Sequence, residues 1–527
     1  METAFELDNA PSSEHPILPT GVMVNELRES LATENWATAV SLVGAHWSVL
    51  IDDFGGLIDE ALRAIPLPYF AQDTRAAAIR DIRLHTDADD VDRMLGEALI
   101  PEHDDLEAIE DIARSPQALS LLSVVAVRMI ALRVRGLVAR AVQLAKLLER
   151  LGHIAIVHQP GLISPRLPSA LLHAGITRGL GDDIPGAMLA LREAYERAPA
   201  DRAGYVERDA AGKAAFFAAL AGDMAEAVIW IQRYDRAPNV YGWLKPRIAL
   251  TADIARSLVA TEGLKRADAE AALAEVDQPV NAEQSWGPGV TYARARYALA
   301  WGDALGAIEM IRRDRHRYAH WLTDDSTLHP LLTLAESDLL LSLGRVHPAH
   351  DLLSTHADHP LIRVARARAE LAAGDHAAAA RYAAVALNDR HSTRSRVEAL
   401  AVQTATKLRA RPQVAAVPPS SLVEVAKASG LMLSTRIVPE AGPLDPTHHS
   451  LDAVREPLPT LPDNPKLTER QILVLRGMQQ GLTLRQIGAR QHLSVNTMKT
   501  HATALYRRLG VTTRDEAIAR AHELGLL

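Results

Sequence analysis

A glycine that returns about every forty residues, followed five positions later by an alanine, restricts this chain to one kind of architecture. The pairs are Gly136 with Ala141, Gly222 with Ala227, Gly302 with Ala307, Gly344 with Ala349 and Gly374 with Ala379, while Gly181 and Gly263 occupy looser versions of the phrase. Successive glycines are 45, 41, 41, 39, 42 and 30 residues apart. Between them apolar residues recur at three- and four-residue spacing in alanine-rich windows, the periodicity of amphipathic helices. A repeat of this length holds two helices and a turn. The glycine ends the first helix in a left-handed cap, and the small alanine lets the second helix pack closely against it. The expectation is an all-α chain in which residues 24–410 form an α-solenoid of helical hairpins.

This region resembles the tetratricopeptide-like arrays of large bacterial transcription regulators, although the repeat of about 34 residues that defines them is not kept. The 527 residues include no cysteine, so disulfides, cysteine-bound zinc and thiol chemistry are excluded. The acidic start has neither the basic nor the apolar segment of a secretory signal, and the longest apolar stretch, 118–134, is interrupted by Arg128 and Arg133. A cytoplasmic protein without membrane contact is expected. Residues 1–23, with three prolines and little periodicity, read as a flexible tail.

Ten of the 29 prolines fall between 411 and 465. Proline at that density forbids long helices, so this stretch reads as a linker with at most one short helix, at 421–428. Beyond it, residues 466–527 carry ten Lys and Arg against four acids, a balance of +6 that leaves −14 for the rest of a chain whose net charge is −8. A small basic unit on an acidic body is the electrostatic outline of a nucleic-acid reader attached to something that controls it.

The basic unit reads as four capped helices. Thr468 and Gln471 have the spacing of a capping box, opening a helix stopped by Gly481; Thr483 caps a second through about 491; Ser494 caps a third that Gly510 stops; and Thr512 or Thr513 opens the fourth. A short helix, a tight turn and a longer helix with Asn496, Lys499, Thr500 and Thr503 on its outer face make a helix-turn-helix. Leu467, Thr468, Arg470, Gly481, Thr483 and Ile487, then Ser494 to His501, Tyr506, Leu509, Gly510, Val511, Arg514, Ala517 and the closing Gly525, Leu526 and Leu527 resemble the LuxR-type DNA-binding domain over about 62 residues.

The resemblance implies double-stranded DNA as partner, a recognition helix at 494–509, base contacts from Lys499, Thr500 and Thr503, and a dimer contact on the last helix. Val495 and Asn496 belong to the same helix start, and Thr483, Thr497 and His501 are implied as phosphate contacts or as residues that fix the turn. Lysine can donate to guanine O6 or N7, and threonine methyls can meet thymine methyls. The chain departs from the family at Gln471, Gly477, Gly488 and Gln491. A glycine within a helix costs about 1 kcal/mol relative to alanine, so a domain less stable than its relatives is expected.

Catalysis finds no support. There is no phosphate-cradling Gly-rich loop, so the ATPase that often precedes such arrays is not expected, and no βα alternation marks a phosphoacceptor domain. His316 with His320, and His347, His350, His356 and His359, lack the glutamate of a zinc-protease helix and read as surface or interhelical side chains; no metal or cofactor is expected. The arginine run 312–317 reads as a solvated face. Ten of the 22 aromatic residues lie between Trp230 and Trp321. Either they fill gaps between alanine-rich helices, or Tyr241, Trp243, Trp286, Tyr297 and Trp301 line a concave face that takes a small-molecule or protein effector. The favoured reading is a dimeric transcription regulator in which the array senses an effector and controls the reader. The alternative is a helical-repeat adaptor whose tail binds DNA weakly.

Overall fold

The structure is a computed structural model that describes residues 20–53, 55–70, 76, 80, 101–115, 117–198, 205–239, 244–276, 284–354, 359–388, 392–410, 420–438, 467–490, 493–509, 511 and 513–523. Among the described residues the regular structure is helical and contains no strand, and no helix is long and apolar enough to cross a membrane. All seven repeat glycines stand at a turn between two helices. Gly136 separates Ala118–Val134 from Val138–His158, Gly181 separates Leu167–Leu180 from Ile184–Arg197, and Gly222 separates Tyr205–Ala221 from Met224–Arg236. Gly263, Gly302, Gly344 and Gly374 follow Leu244–Glu262, Gly287–Trp301, Leu328–Ser342 and Pro360–Ala373 in the same way.

Gly136, Gly222, Gly344 and Gly374 take the expected left-handed cap, with φ between 71 and 85°. In the looser phrases the next residue takes it instead, Asp182 at 60° and Leu264 at 59°, whereas Gly302 leaves its helix with an extended backbone. An aspartate just after the glycine completes the turn. Asp183, Asp223, Asp303 and Asp375 accept the N–H groups of Gly186, Glu226, Leu305 and Ala378 at 2.9–3.1 Å, satisfying a donor that the second helix cannot pair internally. The alanines five residues after the glycines are buried.

The first helices of successive hairpins pack on one another, and one continuous apolar core runs from Ile109 to Val438. The array also coils back on itself. The Thr327 hydroxyl donates to the Gly179 carbonyl (2.6 Å) and accepts the Asp182 N–H (2.9 Å), and the Trp321 indole donates to the Arg133 carbonyl (3.3 Å). Two boundaries expected from sequence need correction. Helix Thr20–Ala32 begins inside the expected tail, burying Met23 and Val24, and joins Trp36–Asp53 and Gly55–Ala64 around a separate core. The expected linker is also revised: the short helix anticipated at 421–428 is present as Ser420–Ser429, but it and Met432–Arg436 pack on the array and bury Leu422, Ala426, Leu431, Ile437 and Val438 in its core. The physical reason is that 420–438 contains no proline and spaces its apolar residues helically.

At the ends of these packed helices lies a closed ring of six buried charges. Arg296 pairs with Glu262 (2.6 Å) and Asp338 (3.3 Å); Arg368 pairs with Asp338 (2.6 Å) and Glu398 (2.5 Å); and Arg394 pairs with Glu398 (3.5 Å) and Glu262 (2.8 Å). Signs alternate around the ring, which is neutral overall. No member is more than 3% exposed. Burial by itself would raise the Glu262 carboxyl, but Arg296 and Arg394 overcome it and hold the group at about 2. For Asp338 burial prevails and its pKa is raised.

A folded pKa near 2 against 4.5 for the ordinary group means that Glu262 stabilises the fold fully above pH 4.5 and loses that contribution as pH falls from 4.5 to 2. The contribution is on the order of 3 kcal/mol. Glu262→Gln should therefore lower unfolding stability at pH 7 by about 3–5 kcal/mol, since it leaves Arg394 and Arg296 under-compensated, and should flatten the dependence below pH 4.5; denaturant titration across pH reads both. A second comparison isolates packing from backbone strain. A Cβ at Gly374 meets nothing within 4 Å, but one at Gly136 would lie 2.1 Å from the His320 carbonyl oxygen. Gly374→Ala should cost only the left-handed penalty of about 1–2 kcal/mol, and Gly136→Ala clearly more, in the same denaturant assay.

Candidate nucleic-acid interface

The last described unit consists of helices Glu469–Gln479, Leu484–Arg490, Val495–Leu509 and Arg514–Glu523, gathered on a core of their own. Each opens on a hydroxyl cap. Thr468 accepts the Gln471 N–H (3.4 Å) while Gln471 Oε1 accepts the Thr468 N–H (2.9 Å), the capping box anticipated from sequence. The same reciprocal exchange joins Thr483 to Gln486 (2.8 and 3.3 Å) and Thr513 to Glu516 (3.2 and 3.3 Å). Neither was anticipated, though the Thr-x-x-Gln and Thr-x-x-Glu spacings were there to be read. Ser494 Oγ accepts the Thr497 N–H (3.1 Å) and pairs with its hydroxyl (2.8 Å). Gly481, at φ 78°, ends the first helix, and the Leu482 N–H returns to the Gly477 carbonyl (3.0 Å). Gln491, Gly510 and Thr512 lie outside the described residues.

Helix Val495–Leu509 has two faces of opposite character. Met498, Ala502, Leu505 and Leu509 are buried, and their spacing of four, three and four is one stripe of an α-helix. The other face exposes Asn496, Lys499, Thr500, Thr503 and Arg507. Arg508 donates to Gln471 Oε1 (3.0 Å), so Gln471 both caps the first helix and holds the third. Arg514 donates to the Met478 carbonyl and ties the last helix to the first. The Thr500 hydroxyl donates back to the Asn496 carbonyl (3.1 Å). Thr483 is engaged as a cap, Thr497 is held by the Ser494 cap, and Val495 and His501 are half-buried.

The two departures expected to weaken the unit are seated in it. A Cβ on Gly477 would stand 2.6 Å from the Ile487 side chain, and one on Gly488 would stand 2.8 Å from the Leu493 carbonyl and 3.2 Å from Met498. Gly477 is thus the floor on which the second helix rests, and Gly488 lets the turn into the third helix close, its carbonyl accepting the Leu493 N–H (2.9 Å). A groove of about 370 Å³ borders Gly477, lined by Ile472, Arg476, Leu482, Ile487 and Arg490 among others.

The aromatic residues singled out in the array part company. Tyr241 and Trp243 lie outside the described residues. Trp286 is buried, stacked edge-on against Phe216 (5.6 Å) with the Lys213 ammonium 4.9 Å from its ring. It is packing material, as are Trp230 and Tyr292. Tyr297 and Trp301 are half-buried partners, their rings 5.4 Å apart, and the Tyr297 hydroxyl donates to Glu270 (2.6 Å). In the arginine run, Arg312 and Arg315 pair with the buried Glu336.

The family model for bacterial regulatory proteins of the luxR family matches residues 465–521. These residues form a LuxR-type DNA-binding domain. Transcriptional regulatory protein YdfI of Bacillus subtilis (strain 168) is 34% identical over 62 residues, 12% of this chain. The chain spans 29% of the length of that relative.

In the LuxR-type domain, Gly488→Ala should cost about 2 kcal/mol, because the contact it creates is with rigid backbone. Gly477→Ala should cost less, since the Ile487 side chain can turn away. Thermal unfolding of a fragment of residues 461–527 measures both, and equal losses would disprove the distinction.

Proposed function

We propose that the chain is a transcription regulator that binds double-stranded DNA as a dimer through its LuxR-type domain, under control of the helical array. The observation that carries this reading is the two-faced helix Val495–Leu509: its apolar stripe is committed to the domain core while Asn496, Lys499, Thr500 and Thr503 project from the other side. A helix so presented fits the major groove. Lys499 would read guanine, the methyls of Thr500 and Thr503 would meet thymine, and Val495, Asn496 and His501 would line the approach. Thr483 and Thr497 would serve mainly by holding helix starts, where free N–H groups favour phosphate. The exposed Arg485, Arg490 and Arg507 add positive charge around this face.

Residues 24–410, extended by the packed segment 420–438, would be the sensing part, and a cytoplasmic site of action follows from a DNA target. Of the aromatic set, Tyr297 and Trp301 remain accessible to an effector. The adaptor reading drew on Gly477, Gly488 and Gln491, and two of these now have a structural role that favours an intact reader.

Selection from a pool of genomic DNA fragments at two salt concentrations tests the reading. Specific sites should be recovered, with affinity falling steeply as salt rises. Lys499→Ala should weaken a recovered site by about 1–3 kcal/mol and relax its sequence preference. Recovery of no DNA by the full chain or by residues 461–527 would put the adaptor first, and an unchanged affinity of Lys499→Ala would remove Lys499 from the reader.

A further inference from the structure

The ring of buried charges has a seventh polar partner that comes from outside the repeats. Ser434, in Met432–Arg436, donates its backbone N–H (3.2 Å) and its hydroxyl (3.0 Å) to Glu262, and its hydroxyl oxygen accepts from Arg394 (2.7 Å) and Arg296 (3.3 Å). The contact with Glu262 spans 172 residues. Around it, Leu422 and Ala426 of Ser420–Ser429 and Leu431, Leu433, Ile437 and Val438 are buried, and Gly430 sits against Met224 of the helix Met224–Arg236. The segment 420–438 therefore lies on the array as a ligand would, with an apolar surface around one specific polar anchor.

We propose that the face formed by Glu262, Arg296 and Arg394 is a docking site for this segment, and that its occupancy sets the action of the LuxR-type domain that follows in the chain. The proposal rests, for its second half, on the DNA-binding function proposed above. Three observations support a site that can be vacated. The ring closes without Ser434, since every member already has a partner of opposite sign. It is therefore neutral and paired whether the segment is present or absent. Arg394 Nε and Nη2 are buried without a hydrogen-bond partner among the described residues, a cost of docking that partly offsets the apolar gain. The segment is also flanked by the proline-rich stretches 411–419 and 439–465, and proline lacks the N–H that an uninterrupted helix needs. A signal that changes how the five helices of the ring meet would change the grip on Ser434 directly, and with it the point from which the reader is tethered.

The absence of cysteine allows a direct test on the full chain. Spin labels on cysteines placed at the exposed Ala225 and Glu424, on the packed helices Met224–Arg236 and Ser420–Ser429, report docking by their separation. Two variants loosen the segment by different means: Ser434→Asp sets a carboxylate against Glu262, and Leu422→Lys removes the apolar contact without touching the ring. In both, the label separation should lengthen and broaden while helicity and the main thermal transition of the array stay as in the parent, and affinity for a selected DNA site should shift at least threefold in the same direction. An unchanged separation in both variants, or release only on unfolding of the array, would overturn the docking site. Release with unaltered DNA affinity would overturn the control it exerts. Failure of the parent chain to bind DNA marks failure of the functional reading instead, and the label distances then decide the docking site alone.

Discussion

The alternating ring of Glu262, Arg296, Asp338, Arg368, Glu398 and Arg394 fixes the geometry on which the rest of the array depends. Removing six charges from water is costly, and a buried pair seldom stabilises more than well-packed apolar residues would. What such a ring does supply is discrimination. The helices around it are rich in alanine, and small side chains tolerate rotation and sliding that large interlocking ones forbid. An ion pair at 2.6 Å tolerates neither, because displacing one partner leaves a buried charge exposed to the low dielectric. Five first helices, from Leu244–Glu262 to Thr393–Ala410, each bring one or two members. Their relative rotation is therefore set at one place.

How much of this was legible depended on whether the controlling residues are neighbours in sequence. The hairpin turns were legible because the glycine, its aspartate and the close-packed alanine fall within six residues. The ring was not. Five of its six links join residues 34, 42, 30, 30 and 132 apart, and Arg394 with Glu398 is the one i, i+4 pair; a lone arginine or glutamate in an amphipathic helix looks like a solvent-facing residue until its partners are in place. The proline count over 411–465 left room for the helix at 421–428 but hid that the whole interval 420–438, which has no proline, packs on the array. Aromatic clustering gave a false signal at Trp286, whose ring is spent on Phe216 and Lys213.

The reader was legible in nearly every element, since its caps act over three residues and its third helix buries one continuous stripe. Gly477 and Gly488 were the exceptions. Helix propensity prices the missing side chain but not the atom for which it makes room, here Ile487 in one case and the Leu493 carbonyl in the other. Both belong to the contacts that orient the second and third helices, so the departures at these two positions adjust the reader without emptying its core.

The array and the reader handle charge in opposite ways, and that division bears on how they communicate. The reader leaves its cations exposed, where they act at a distance and are screened by salt. The array buries the six charges of its ring in neutral pairs, where they act through contact, although the chain ahead of the reader carries a net −14 overall. Under the proposed control, a signal felt by the ring would leave it by movement of something touching the ring or the helices that bear it. Because the turns near Gly136 and Asp182 already meet the segment from His320 to Thr327, much of the inward face is committed to internal contacts. Among the described residues beyond the last repeat helix, Ser434 is the one that holds three ring members at once. It lies on the path along which the chain leaves the array for the reader. If the array controls DNA binding as proposed, its effect would pass along that path or through direct contact between the two parts, of which the pair between Arg476 and Asp351 (2.7 Å) is an example. An exposed pair of that kind contributes little free energy, so under the proposed control the covalent route through Ser434 has the larger buried contact.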